Sequence, residues 1–271
     1  MISPVLVAAL VRALTTGCVV VLASTLAEAA GPFWGALILS LPVSAGPAYV
    51  FMALEHDGAF IAGAALNGFA ANAATGLFLI VYAWRAPATG SLRALGTAAA
   101  AWLAAAVPIA AWAWTPPTAF LLNAAVFGAG LVLVRPKGRT VFARNTVATR
   151  RWLDLSARAA AVALFVTALV ALSTALGPER TGVVAAYPVS LTCAFVILHA
   201  RVGGAAMAQL AATAIRGIFG FGLTLLTLHL LVEAWGAALA LSGALLVSLL
   251  WSGGLLALQR RAARPGPRPP G

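Results

Sequence analysis

The apolar positions of this chain fall into long runs separated by short breaks at charges, glycines and prolines. Read as helices, these runs predict nine spans, at about 4–27, 32–54, 59–84, 94–114, 117–135, 153–176, 179–200, 205–231 and 235–258. Roughly 20 apolar residues in a helix cross about 30 Å of hydrocarbon. Strands of a membrane barrel would instead be about 10 residues of alternating polarity, so helices are the right reading. The connections are short except for 136–152. The turn Trp114-Thr115-Pro116-Pro117-Thr118 is a strong breaker and separates the fourth span from the fifth.

A second pattern lies over the first. Residues 31–58 and 177–204 match at an offset of 146 positions. Gly31-Pro32 recurs as Gly177-Pro178, Pro42-Val43-Ser44 as Pro188-Val189-Ser190, and Gly58 as Gly204. The register holds without a gap from Arg12/Arg158 to Gly76-Leu77/Gly222-Leu223. An internal duplication governs every later reading, and two related halves are a recurrent transporter design. The chain then divides into a four-helix repeat (1–114), a linker span (115–135), a basic loop (136–152), a second repeat (153–259) and a disordered Pro-rich tail (260–271). An odd number of crossings separates the copies. The halves are therefore expected to be inverted about an axis in the membrane plane.

Composition sharpens the class. At 62% hydrophobic and 8% charged, with a mean hydropathy of +1.00, the chain is excluded as a soluble domain. Its net charge of +11 does not point to nucleic acid. Arg85, Arg93, Arg135, Lys137, Arg139, Arg144, Arg150, Arg151, Arg201 and four tail arginines all fall on one predicted side. Arg180 falls on the other, with Glu55, Asp57, Glu179 and Glu233. By the positive-inside rule the basic side is cytoplasmic, with the N-terminus outside and the C-terminus inside a bacterial inner membrane. Cys18 and Cys193 lie in apolar spans and read as packed small residues, not as a disulfide or metal site. The N-terminal run resembles a signal peptide, and Thr16-Gly17-Cys18 a lipoprotein box. The run lacks a basic leader and has a counterpart at 153–176, so a retained helix is expected. No hydrolase, zinc-protease or phosphate-loop motif occurs, so neither enzyme activity nor a cofactor is expected. The many Ala and Gly positions would permit a homodimer.

The candidate solute site follows from prolines and intramembrane polar residues. Pro42 and Pro188 fall halfway along matching spans, with Ser44 and Ser190 two residues on. Such a proline removes a helical hydrogen bond, and matched breaks in two halves point to a midplane site. Arg216 lies midway along the eighth span, where a cation costs about 2.5–3.5 kcal/mol or more unless paired or hydrated. It is expected to face the interior and contact an anion. Gln209 and Thr213 share its side, and Asn67 aligns with Thr213. Asn67 and Asn72 also suit a plain role as interhelical glue.

A glycine several residues ahead of a midspan proline, with a histidine where the span ends, runs from Gly182 through Pro188 to His199; Gly31 to Pro47 is its twin. In this, and in its four-span plan, each half resembles the small GlpM-type proteins of bacterial inner membranes. The resemblance implies a four-helix unit and names no activity. The plan is also similar to fused two-domain fluoride channels, whose characteristic motifs are not found here. The expected function is a secondary transporter for a small, anionic solute. A passive channel and a non-transporting subunit that binds a partner through 136–152 are the alternatives.

Overall fold

The computed structural model describes residues 4–29, 45–134 and 151–262, and among them the chain is helical throughout apart from short turns. The helices are α1 (Pro4–Ala29), α2 (Ala45–Glu55), α3 (Gly58–Arg85), α4 (Ser91–Ala110), α5 (Pro116–Leu133), α6 (Arg151–Ala185), α7 (Val189–Val202) and α8 (Gly204–Ala262). Six of these are long and apolar enough to cross a membrane. The 11 residues of α2 and the 14 of α7 are too few alone. Pro42, Ser44, most of the basic loop and the end of the tail lie outside the described residues.

Among the described residues eight helices thus stand where nine spans were expected, because two boundaries are turns at a single glycine and the span predicted at 179–200 is divided at Pro188. Gly177 (φ 75°) interrupts α6, and Gly236 (φ 75°) interrupts α8. Only a residue without a Cβ adopts that conformation freely. A straight α8 would be about 88 Å long at 1.5 Å per residue, nearly three bilayer cores. It instead folds back at Gly236 into two antiparallel limbs, 204–235 and 237–262. Trp251 Nε1 donates to Arg216 O across them at 2.9 Å, and a Cβ on Gly243 would meet Leu231 at 3.1 Å. Between α4 and α5 the predicted break is present: α5 opens on Pro116, and Thr115 N donates to Thr118 Oγ1 at 3.1 Å.

The centre of the bundle is α3, most of which is buried from Ile61 to Ala83. Asp57 caps its start, accepting from Phe60 N at 2.9 Å. Around it pack α4, α5, α6 and the first limb of α8, while α1 lies against α6. This works because α3 is lined with small residues. A Cβ on Gly63 would meet Pro178 at 3.1 Å, and one on Gly76 would meet Val126 and Phe127 at 3.1 Å. At the crossing with α6, Gly182 lies directly on Ala64 O. The outer surface is apolar: Leu14, Leu121, Leu164 and Leu250 are 66–69% exposed. A water-soluble surface rarely carries so continuous an apolar cover.

The pairing of α3 with the first limb of α8 is antiparallel along its whole length. Gly58 lies against Val232 and Glu233, and Gly204 against Ala86. His229 Nδ1 meets Ala62 O at 2.9 Å, and Asn72 Nδ2 donates to Ile218 O at 3.0 Å. The bundle is also sorted by charge. Glu55, paired with Arg12, gathers with Asp57 and Glu233 where α3 begins, and Arg85 and the Arg201–Asp154 pair (2.5 and 2.8 Å) lie where it ends. Replacing Gly182 by valine should lower stability in detergent by about 1–3 kcal/mol, the usual overpacking cost. Gly96→Ala, inside α4 where a Cβ meets nothing within 4 Å, should instead raise stability by about 0.4–1 kcal/mol.

Candidate functional site

Two features stand out, a net of buried amides in the middle of the bundle and a cavity at the edge of its packing. Asn72 on α3 is fully buried and donates to Asn123 Oδ1 (3.1 Å) as well as to Ile218 O. Asn123 on α5 donates in turn to Phe69 O (2.7 Å) and Ala119 O (2.9 Å). These amides tie α3, α5 and α8 together at one level. A turn further along α3, Thr75 Oγ1 donates to Ala186 O at 2.8 Å and accepts from Trp102 Nε1 at 3.2 Å.

Ala186 belongs to the break that Pro188 makes. The sequence predicts a span running through the proline. The structure ends α6 at Ala185 and restarts as α7 at Val189, with Pro188 at the N-cap (φ −82°, ψ 62°). Without an N–H, Pro188 leaves the carbonyl one turn earlier to other donors; Tyr187 N takes Val184 O at 3.0 Å. Thr75 takes the Ala186 carbonyl, and the Trp102 indole packs edge-on to Tyr187 at 5.0 Å. Backbone irregularity in a membrane is stable where neighbouring helices supply such partners.

The other predicted site residues do not converge. Ser190 is partly buried beside the break, and its hydroxyl has no hydrogen-bond partner among the described residues. Asn67 is buried and spends its amide on Gly63 O at 3.0 Å, one turn back on its own helix. Gln209 is partly exposed, while Thr213 is exposed and back-bonds to Gln209 O at 2.9 Å. Arg216, expected inside, is exposed on the outer face of α8. Its span is apolar all round, so depth was readable from sequence and facing was not. Arg12, at the start of the repeat register, pairs with Glu55. Its repeat equivalent Arg158 is partly buried, with no hydrogen-bond partner for Nε among the described residues.

The cavity, of about 240 Å³, lies between α2 and the two limbs of α8. Its wall includes Tyr49, Thr224, Leu225, Leu228, Leu241 and Ser242. Among the described residues, none of the predicted site residues lines it. Sequence reasoning passed over Tyr49, Thr224 and Ser242 because each is an ordinary residue in an apolar helix. Compared with protein-family models, curated proteins and solved structures, the chain finds no match.

At the acidic end, His56 Nε2 meets Ser173 Oγ at 2.7 Å and its ring stacks on Phe60 at 3.7 Å. Loss of water there pushes its pKa below the ordinary 6.5, against the opposing pull of Asp57. The folded state therefore binds this proton less readily than the unfolded chain. Its contribution to stability is present above about pH 6.5 and is lost as pH falls through the lower folded value. Thermal midpoints measured from pH 7.5 down to 5 should fall, and less steeply in His56→Gln. Asn72→Ala should cost roughly 1–2 kcal/mol in detergent unfolding, because it leaves Asn123 and the Ile218 carbonyl short of a donor.

Proposed function

We propose that this chain is a membrane permease made of two related, inverted four-helix halves, and that it moves a small solute by alternating between two arrangements of those halves. One observation carries the reading. Asn72 bonds to the residue 146 positions on, its own equivalent in the repeat. The contact of Gly58 with Val232 becomes, on exchanging equivalents, that of Gly204 with Ala86. Both contacts are present. A two-fold axis through the Asn72–Ile218 contact, perpendicular to both helices, is the simplest operation with this result. For helices that stand across a bilayer, that axis lies in its plane.

The nine-crossing count belongs to the same proposal. Gly177 and Gly236 each join two crossings, α7 completes one begun before Pro188, and α2 lies within the span predicted at 32–54. The linker is α5. The charge sorting of the bundle supports a cytoplasmic basic end in a bacterial inner membrane, and the four-helix plan of each half is the feature shared with the GlpM type. Transport is favoured over passive conduction because α3 fills the region around the axis with packed side chains. The anionic solute expected from Arg216 loses its support, since Arg216 lies outside the cavity.

Topology reporters placed after Asp57 and after Val202 should report opposite sides of the membrane. The same side for both would overturn the inverted-repeat reading. Movement is tested with Gly58→Cys and Glu233→Cys together, in a background with Cys18 and Cys193 replaced by serine. Oxidation joins the halves at the acidic end. Uptake of a labelled solute panel into vesicles should stop on oxidation and return on reduction. Uptake indifferent to the cross-link would rule out alternating movement there.

A further inference from the structure

The cavity beside α2 has a counterpart in the other half, and there it is filled. Tyr49, on the cavity wall, is equivalent to Phe195 at the 146-residue offset; Thr224 is equivalent to Phe78, and Leu228 to Tyr82. In the filled copy the three rings stack. Tyr82 and Phe195 lie 3.9 Å apart at 9°, and Phe78 and Phe195 lie 6.2 Å apart at 4°. All three are fully buried, and Tyr82 Oη bonds to His199 Nδ1 at 2.8 Å. In the open copy a threonine and a leucine replace two of the rings, and about 240 Å³ is left vacant. An apolar cavity of about 150 Å³ already holds benzene.

The polar atoms on the wall decide what kind of molecule fits. Tyr49 Oη donates to Ala64 O at 3.0 Å. Thr224 Oγ1 donates to Gly220 O at 3.1 Å, and Ser242 Oγ donates to Ala238 O at 2.8 Å. Each hydroxyl has one proton, and each is already engaged. What remains on these oxygens is acceptor capacity. Among the described residues, no charged one lines the space. An anion brings only acceptors and would find no side-chain donor, whereas an apolar ring carrying one hydroxyl or amine finds both surface and acceptors.

We infer that this cavity binds a small, uncharged aromatic molecule with a hydrogen-bond donor, held where the other half holds its own Phe78 ring. The comparison of the two copies rests on the related-halves reading proposed above. The binding itself does not require transport, so the two can fail separately. The probe is 4-fluorobenzyl alcohol, with 4-fluorobenzoate as its anionic analogue. Each is titrated by fluorine NMR into the full chain in nanodiscs, against empty nanodiscs.

The alcohol should bind saturably, at one molecule per chain, and at least tenfold more tightly than the benzoate. Thr224→Phe restores the ring of the other half and should weaken binding at least tenfold. Gly46→Leu is a second way to fill the space, since a Cβ at Gly46 meets nothing within 4 Å; it should have the same effect. Helix content and elution volume check that either variant folds, and one folded variant suffices. Equal binding by wild type and a folded variant would overturn the inference. So would uptake no greater than into empty nanodiscs, which would mean that a lipid chain occupies the cavity. Tighter binding of the benzoate would also overturn it.

Discussion

Helices in a bilayer gain little from leaving lipid for one another, because the tails are as apolar as their side chains, so association depends on how closely backbones approach. The antiparallel contact of α3 with the first limb of α8 meets that requirement from end to end. Gly58 meets Val232 at one end and Gly204 meets Ala86 at the other; between them Gly222 lies against Phe69 and Asn72. Gly68 and Gly182 let the start of the α6 extension cross at the same depth. With α3 enclosed in this way, the remaining helices are arranged around it. The cavity forms at the edge of the packing, where α2 meets α8 and one copy of the repeat lacks the rings that close the other.

The polar side chains of the centre answer to the backbone. Thr75 holds the carbonyl at the Pro188 break, Asn123 takes Phe69 O, and His229 meets Ala62 O. Each is buried or half-buried, and each stabilises a crossing between elements far apart in sequence. Polar residues at membrane depth therefore divide here into those that repair helices and those on the cavity wall. The wall hydroxyls are themselves engaged with their neighbours' carbonyls, which makes the cavity drier than a count of its oxygens suggests.

Much of the architecture was readable from sequence, for definite reasons. Length and apolarity mark α1, α3, α4 and α5 almost to their ends, and the Trp114–Thr118 turn separates α4 from α5 as its prolines require. Gly177 and Gly236 were harder. A lone glycine in an apolar run can cap, kink or reverse a helix, and only the chain beyond it decides. Arg216 shows a second limit, since a helix apolar on every face gives no sign of which face is covered. The Arg12–Glu55 pair joins residues 43 apart on separate helices; no local pattern announces such a pairing. At the cavity the informative signal was a difference between the copies, a threonine and a leucine at 224 and 228 against rings at 78 and 82. Similarity between repeats draws attention first, and this difference lay just past the stretch of strongest likeness.

The reversal at Gly236 also constrains how the protein is made. One residue joins the limbs of α8, and no slack separates them. A limb left in water while the other takes up its position would expose a long apolar run tethered directly to its partner. Because the first limb supplies the long contact with α3, the central pairing of the fold can close only after the chain has been made past Glu233. The whole assembly therefore becomes compact late in synthesis.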